Sequence, residues 1–248
     1  MNKILGYLLS PIFYLFFSLS LLVFHPIQWI CYRWFGYTAH KKSVDYLNFC
    51  LFYCQIFLGS SWSFNYEKEL PTDVPKIFIA NHQSLYDIPA FFWFLRKHHV
   101  KFISKIELTK GIPSISFNLK YGGGANIDRK DSKQAAVEII KLGRRLKEHN
   151  WSAVIFPEGT RAKDGVLKPF KVGGIATLLK AAPHALVIPV AIENSWKIVQ
   201  YGSFPLSAGE KLRWTVLKPI DTTGKDAEQI TREAEEAIHS VLKQPLES

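Results

Sequence analysis

A histidine and an aspartate stand five positions apart in the run N-H-Q-S-L-Y-D, where the two side chains could share a proton-transfer task. In a continuous α-helix this separation would place His82 and Asp87 well around the cylinder from each other, so they can meet only through a turn. Pro89 fits the first turn of a helix but not its interior, which predicts that the helix starts near Ile88. Asp87 could then bond one imidazole nitrogen of His82 and leave the other to take a proton from an alcohol.

Both residues also have simpler explanations. Asp87 could cap the helix, as could Ser84, and His82 could be a hydrogen-bonded structural histidine. The pair therefore gains its weight from the polar motifs that follow it along the chain.

A tight polar turn, F-P-E-G-T-R, follows a strongly apolar segment at residues 156–161. The end of a strand is the usual place for a ligand crevice in an α/β protein. A turn alone would explain Pro157 and Gly159 but would not require Glu158 and Arg161 together. An arginine fork beside a glycine that allows close backbone approach suits a phosphate monoester, so this turn is a candidate phosphate site.

Further cations lie in similar settings. Arg129 ends an I-D-R run after a triple glycine, and Lys168 and Lys171 come shortly before a predicted helix. These side chains could bind the same phosphate. Solvated arginines and basic loops are common on protein surfaces, so each one alone is equally well explained as surface charge.

The chain beyond its apolar N-terminal part becomes charged, and short β-rich runs alternate with helical patterns. This predicts an α/β domain over residues 65–248, with a mixed sheet covered by helices. The predicted strands are residues 76–80, 100–104, 125–127, 153–156, 186–192 and 212–217, and the predicted helices are residues 88–97, 133–149, 173–181 and 227–243. Ser132 and Asp226 should cap the second and fourth helices, and Gln229 should complete a capping box with Asp226. Residues 107–124 contain several glycines, which predicts a loop or a mobile flap.

Residues 1–64 predict a membrane-embedded helical segment. Residues 4–24 carry no charge and are about as long as a helix needs to cross the hydrocarbon layer. After a polar, basic connection, a shorter apolar stretch covers residues 44–58. The two stretches could form a helical hairpin in one leaflet, or the first could cross while the second lies at the interface. A removable signal peptide, with Lys3 as its charged start, is the alternative.

The overall charge favours an anionic partner. Among 248 residues, 31 are Lys or Arg and 21 are Asp or Glu, for a net charge of +10. Aromatic residues are dense near the N-terminus, which favours a lipid surface over nucleic acid, and no nucleic-acid reader motif is visible. The three cysteines lie in the apolar N-terminal part without metal-type clustering, so we expect reduced, buried thiols and no metal site.

Taken in order, four blocks resemble the signatures of the glycerolipid acyltransferase family: N-H-x-S-x-x-D, a glycine-containing stretch ending in I-D-R, F-P-E-G-T-R and V-I-P-V. In this chain they cover residues 81–87, 123–129, 156–161 and 187–190. The glycines before Asn126 depart from the family pattern, which more often has bulky apolar residues there. Acceptor preference within the family is therefore left open by the sequence.

The resemblance implies roles for particular residues. His82 is expected to be the general base and Asp87 its orienting partner, and Pro189 is expected to shape the acyl-donor side. Lys105 is a candidate for the phosphate or for the oxyanion that forms during transfer. The residues expected to hold the glycerol phosphate are Arg129, Glu158, Gly159, Thr160, Arg161 and Lys171. The family uses no metal, no cofactor and no covalent acyl-enzyme, so acyl-coenzyme A or acyl carrier protein would serve as co-substrate.

The resemblance also implies a reaction and a location. The acceptor is expected to be a lysophospholipid, most similar to the branch that acylates 1-acyl-glycerol 3-phosphate, although other branches acylate ornithine lipids or lysophosphatidylcholine. We expect a bacterial inner-membrane protein in contact with membrane lipids, with its catalytic domain facing the cytoplasm. An acyl hydrolase would lack its G-x-S-x-G signature here, and a non-catalytic lipid-binding protein would not need His82 and Asp87 at this spacing.

Overall fold

A seven-stranded mixed sheet forms the centre of the protein, whose computed structural model describes residues 2–242. The strands lie in the order β1-β7-β6-β2-β5-β3-β4. They are β1 Ser61–Tyr66, β2 Lys76–Ala80, β3 Val100–Lys105, β4 Ala125–Ile127, β5 Ser152–Ile155, β6 Leu186–Glu193 and β7 Lys211–Val216. Strands β2 to β6 run parallel, whereas β7 pairs antiparallel with β6 and carries β1 parallel to itself. The predicted mixed α/β sheet is confirmed.

Helices cover both faces of this sheet. They are α1 Asn2–Tyr53, α2 Asp87–Phe94, α3 Ile115–Tyr121, α4 Ser132–His149, α5 Val172–Ala181 and α6 Ala227–Leu242. Every residue of β2 is buried, and its side chains alternate between two cores. Phe78 packs with α1 and α2 on one face, whereas Ile77 and Ile79 pack with α4, α5 and α6 on the other. Burial on both faces explains why the central strands are apolar throughout.

The six predicted strands are all present, with ends shifted by at most one residue. Strand β1 was not predicted, and it crosses the expected boundary between residues 64 and 65. The capping box of α6 is confirmed, because Asp226 and Gln229 exchange backbone and side-chain hydrogen bonds; the predicted last residue of that helix, Lys243, lies outside the described residues. The predicted cap of α4 is wrong: Asp131 accepts the N–H groups of the first turn, and Ser132 is already helical.

The prediction of a loop or mobile flap at residues 107–124 is also wrong. The segment holds a short 3₁₀ helix, Ile106–Thr109, and helix α3. It is tied to α1 at fully buried Ser114, whose hydroxyl donates to the Leu21 carbonyl at 2.6 Å and whose backbone N–H donates to His25 at 3.0 Å. These bonds fix the segment against the N-terminal helix.

The N-terminal helix α1 is a hairpin of two helical arms. The break lies at Gly36, whose φ of 78° and ψ of −171° are not helical. Aromatic residues at nearly equal sequence separations before and after Gly36 meet across the hairpin. The ring centroids of Tyr32 and His40 are 5.6 Å apart, and those of Phe16 and Phe57 are 4.3 Å apart. The predicted hairpin therefore exists, but its turn is one glycine, and the expected polar connection is helical.

By length and composition, the hairpin could cross a membrane: its most apolar 18 residues have a mean hydropathy of 2.0, and only 11% of them are buried. Large apolar side chains remain exposed along it, including Leu8, Leu15, Trp34 and Phe35. Exposed apolar surface of this extent marks an interaction with lipid or protein. Phe13, in contrast, is fully buried against Tyr86 of the sheet domain, which argues against a removable signal peptide.

We predict that Gly36→Ala destabilises the protein by about 1–3 kcal/mol, roughly 2–10 °C in Tm, because only glycine readily adopts this backbone conformation. A Cβ at Gly36 would meet nothing within 4 Å, so the effect is conformational alone. Thermal unfolding in mild detergent measures it. Gly173→Ala is the matched control, because that position is equally open but helical. Equal losses of Tm in both variants would contradict the prediction.

Candidate active site

The topology of the sheet gathers the candidate residues at one edge. Parallel neighbouring strands β2, β5, β3 and β4 end on the same side of the sheet. His82 follows β2, Glu158 follows β5, Lys105 ends β3 and Arg129 follows β4. Carboxyl ends of parallel strands are where α/β proteins form their crevices.

His82 and Asp87 meet through the turn that their spacing requires. The His82 Nδ1 and Asp87 Oδ2 atoms are 2.8 Å apart, and Asp87 is the first residue of α2. An acceptor on Nδ1 keeps a proton on that nitrogen and leaves Nε2 as the acceptor of a second proton. The His82 side chain is 13% exposed and that of Asp87 is fully buried, so a reactant can approach only the imidazole.

The Asp87 carboxylate is surrounded by donors. Its Oδ2 atom also accepts the backbone N–H groups of Gln83 at 2.7 Å and Ser84 at 3.0 Å. Its Oδ1 atom accepts the hydroxyl groups of Ser84 and Ser195. Ser195 is fully buried just beyond β6, and its sequence neighbourhood carries no motif that could have identified it.

Two further links attach the loop after β2 to the end of β6. The Asn81 side chain exchanges hydrogen bonds with both backbone groups of Ile192, at 2.7 and 2.9 Å. The Gln83 side chain accepts the backbone N–H of Ser195 at 3.0 Å. The loop that carries His82 is therefore held to a strand that lies more than 100 residues further along the chain.

Glu158 does not face the crevice as a phosphate ligand would. It is 2% exposed, and its two carboxylate oxygens accept the backbone N–H groups of His82 at 2.6 Å and of Lys168 at 3.2 Å. Burial raises the pKa of Glu158 to about 7. Both carboxylate oxygens already accept backbone N–H groups, and a negative carboxylate would repel a phosphate. The expected direct contact between Glu158 and the phosphate is therefore contradicted.

The other residues of the F-P-E-G-T-R turn present a polar surface. Thr160 and Arg161 are exposed, and Gly159 adopts a φ of 71°. The Arg129 guanidinium donates to the Gly159 carbonyl, and burial lowers the pKa of Arg129. The Lys171 ammonium lies 3.4 Å from the place where a Cβ on Gly159 would be. Arg129 and Lys171 are thus brought to one turn.

Two predicted residues lie elsewhere. Pro189 is buried within β6, paired with Ile79 of β2, and its carbonyl accepts the Leu217 N–H at 2.9 Å. It therefore lies inside the sheet rather than on a surface that an acyl donor could reach. Lys105 is exposed at the end of β3, opposite Ile127, and thus stands at the same sheet edge as His82.

An apolar cavity of about 360 Å³ lies beside this edge. Its walls come from both arms of α1, from α2, from β3 and from the segment between β3 and β4, and Arg161 also lines it. That last segment contributes Leu108, Ile112, Ile115 and Leu119. Their spacing of three to four residues is helical and could have predicted both an ordered segment and its apolar face.

Comparison with known proteins identifies the family. The acyltransferase family model matches residues 63–193, more than half of the chain. The chain belongs to this family. A chloroplastic 1-acyl-sn-glycerol-3-phosphate acyltransferase of Brassica napus is 33% identical over 172 residues, which are 69% of this chain and 48% of that protein. The Haemophilus influenzae 1-acyl-sn-glycerol-3-phosphate acyltransferase is 28% identical over 162 residues, 64% of this chain and 65% of that protein.

A solved structure supports the fold over nearly the whole chain. The crystal structure of the 1-acyl-sn-glycerophosphate acyltransferase PlsC from Thermotoga maritima superposes with a TM-score of 0.76 at 23% identity, covering 98% of both chains. This chain spans about half the length of the plant relatives that it matches. All four sequence blocks lie within the matched residues 63–193.

We predict that Asp87→Ala lowers the free energy of unfolding by about 3–5 kcal/mol, because buried donors of the loop would lose their acceptor. Denaturant unfolding in mild detergent measures this loss. Asp221→Ala is the control: Asp221 is exposed and accepts hydrogen bonds from Thr223, and its removal should cost less than about 0.5 kcal/mol. If Asp87→Ala were as stable as the control, the hydrogen bonds around this carboxylate would contribute nothing to stability.

Proposed function

We propose that this protein transfers a fatty acyl group from a thioester donor to the free hydroxyl of 1-acyl-sn-glycerol 3-phosphate, giving phosphatidic acid for phospholipid biosynthesis. The observation that carries the proposal is the 2.8 Å contact between His82 and a fully buried Asp87. The pair lies at the same sheet edge as a cationic turn and beside an apolar cavity. The names of the related proteins support the same acceptor.

The geometry allows His82 to act as a general base. The Nε2 atom takes the proton from the acceptor hydroxyl as its oxygen attacks the thioester carbonyl, and Asp87 stabilises the imidazolium that forms. The new carbon–oxygen bond replaces the carbon–sulfur bond, and the proton passes from His82 to the departing thiol. No group on the enzyme is acylated in this sequence.

The cationic turn suits the phosphate of the acceptor. Arg161 and Thr160 are exposed, and Arg129 and Lys171 lie against Gly159. Guanidinium groups bind phosphate oxygens in pairs, and a glycine allows the backbone to approach closely. Lys105 adds positive charge at the same edge, where it would attract the phosphate or the oxyanion.

The apolar cavity suits a fatty acyl chain. Leu85 and Ile88, which flank Asp87 in sequence, line it together with Phe17 and Leu51 of α1. An acyl chain inside it would therefore run from the His82 loop toward the hairpin. Acyl-coenzyme A and acyl carrier protein would present the same chain, and both stay candidate donors.

The hairpin suits attachment to a membrane. Its exposed apolar side chains would enter the lipid, while the sheet domain would stay at the surface, where a lysophospholipid can reach the cleft. Thioester donors made in the cytoplasm would reach a domain on that side. We therefore propose the cytoplasmic face of a bacterial inner membrane as its location.

We predict that the wild type forms phosphatidic acid from acyl-coenzyme A and lysophosphatidic acid, and that His82→Ala lowers kcat by at least about 100-fold, because the general base is lost. The assay uses protein in detergent or vesicles and separates phosphatidic acid from released fatty acid. His184→Ala is the control, since His184 is exposed before β6 and away from the pair.

The products distinguish the alternatives. Free fatty acid in place of phosphatidic acid would indicate a hydrolase. Bound lysolipid with no product from any thioester donor would indicate a non-catalytic lipid-binding protein. Acylation of lysophosphatidylcholine or an ornithine lipid alone would replace the proposed acceptor.

We predict that Arg161→Ala raises KM for lysophosphatidic acid by about 10- to 100-fold, because a charge-assisted contact with phosphate is lost. The same variant should acylate monoacylglycerol, which has no phosphate, as well as the wild type does. Lys180→Ala, which removes an exposed cation from α5, is the control. An equal loss with both acceptors would contradict phosphate binding by Arg161.

A further inference from the structure

The turn after β5 forms hydrogen bonds with both backbone groups of His82. One oxygen of Glu158 accepts the His82 N–H at 2.6 Å, and the His82 carbonyl accepts the Ala162 N–H at 2.7 Å. The Phe156 ring stacks on the imidazole with ring centroids 4.1 Å apart and planes 15° from parallel. Three residues of one short segment therefore fix the position of the histidine.

This segment is itself fixed. The second Glu158 oxygen accepts the Lys168 N–H at 3.2 Å, and the Lys171 N–H donates to the Pro157 carbonyl at 3.1 Å. Arg129, which follows the edge strand β4, donates to the Gly159 carbonyl. The Glu158 side chain therefore links the backbone of the His82 loop to the backbone at Lys168.

We propose that Glu158 is a positioning residue, whose buried carboxylate sets His82 for proton abstraction and does not contact the acceptor phosphate. This inference rests on the proposed acyl transfer. A positioning residue changes the rate at which bound substrate reacts, whereas a phosphate ligand changes substrate binding. The two roles therefore differ in kcat and KM.

The charge on Glu158 gives the proposal a pH dependence. The charges that act on Glu158 are Asp87, which raises its pKa, and Lys168, which lowers it; the backbone N–H groups of His82 and Lys168 also lower its pKa. Burial is the main reason that its pKa is raised to about 7. Below that pH the carboxyl gains a proton, and the charge-assisted bond to the His82 N–H is weakened. Activity should therefore need the loss of the proton from Glu158.

The first test compares Glu158→Gln and Glu158→Ala with the wild type in the phosphatidic acid assay. Glutamine keeps an oxygen for the His82 N–H, so kcat should fall in the order wild type, Glu158→Gln, Glu158→Ala, with a total loss of about 10- to 100-fold. The KM for lysophosphatidic acid should stay within about twofold. A raised KM with unchanged kcat, or equal kcat in the two variants, would overturn the proposal.

The pH profile of kcat provides the second test. Between pH 8 and pH 6, kcat should fall further in the wild type than in Glu158→Gln, which cannot titrate at this position. Glu210→Gln is the matched control: Glu210 is 8% exposed and accepts the Ser207 hydroxyl at 2.6 Å, yet it precedes β7, which lies two strands away from β2. The pH profile of kcat in Glu210→Gln should match that of the wild type. An unchanged pH profile in Glu158→Gln would overturn the proposed role of the charge.

A third measurement does not depend on activity. In protein labelled with ¹⁵N-histidine, the His82 amide signal, assigned by its loss in His82→Asn, should titrate near pH 7 in the wild type and not in Glu158→Gln. If this titration is seen while no donor yields phosphatidic acid, the proposed function fails but the bond between Glu158 and His82 stands. If the amide shift is independent of pH and of the substitution, the bond itself is refuted and the proposal with it.

Discussion

The buried Asp87 carboxylate is the interaction on which the rest of the site depends. Removing a carboxylate from water costs several kcal/mol unless donors replace the water. Here the donors are two backbone N–H groups, the hydroxyl groups of Ser84 and Ser195, and the imidazole of His82. The loop after β2 must fold back on itself to supply the first of these, and β6 must end beside β2 to supply Ser195. Burial of the Asp87 carboxylate therefore requires both the turn after β2 and the placement of β6 next to β2.

The central place of β2 in the sheet supplies the rest of the support. Its neighbours are β6 on one side and β5 on the other. Ser195 reaches the loop after β2 from the β6 side and Glu158 reaches it from the β5 side, so this loop is held at Asp87 and at His82 by separate strands. Because all three strands run parallel, both supports arrive at the same edge. An antiparallel neighbour would have brought its turn to the opposite end.

What the sequence could predict was local. Strand positions, the capping box of α6 and the meeting of His82 with Asp87 depend on neighbouring residues, and those predictions are confirmed. Ser195 contacts Asp87 across 108 positions, and no local pattern reports such a contact. The polar residues of the F-P-E-G-T-R turn predicted a phosphate site. The motif alone does not indicate that Glu158 is buried while Arg161 is exposed. Strand β1 was not predicted because its aromatic residues directly follow the apolar N-terminal segment and resemble it in composition.

The hairpin is part of the core of the sheet domain. Phe13 and Phe52 are fully buried in the core that also contains β2 and α2, so the hairpin completes the fold of the sheet domain. Its two arms also form walls of the apolar cavity, and the bonds of Ser114 to Leu21 and His25 hold the opposite wall in place. A movement of the hairpin relative to the sheet domain would therefore change the shape of the cavity beside His82. The hairpin and the His82–Asp87 pair are thus joined through packed side chains.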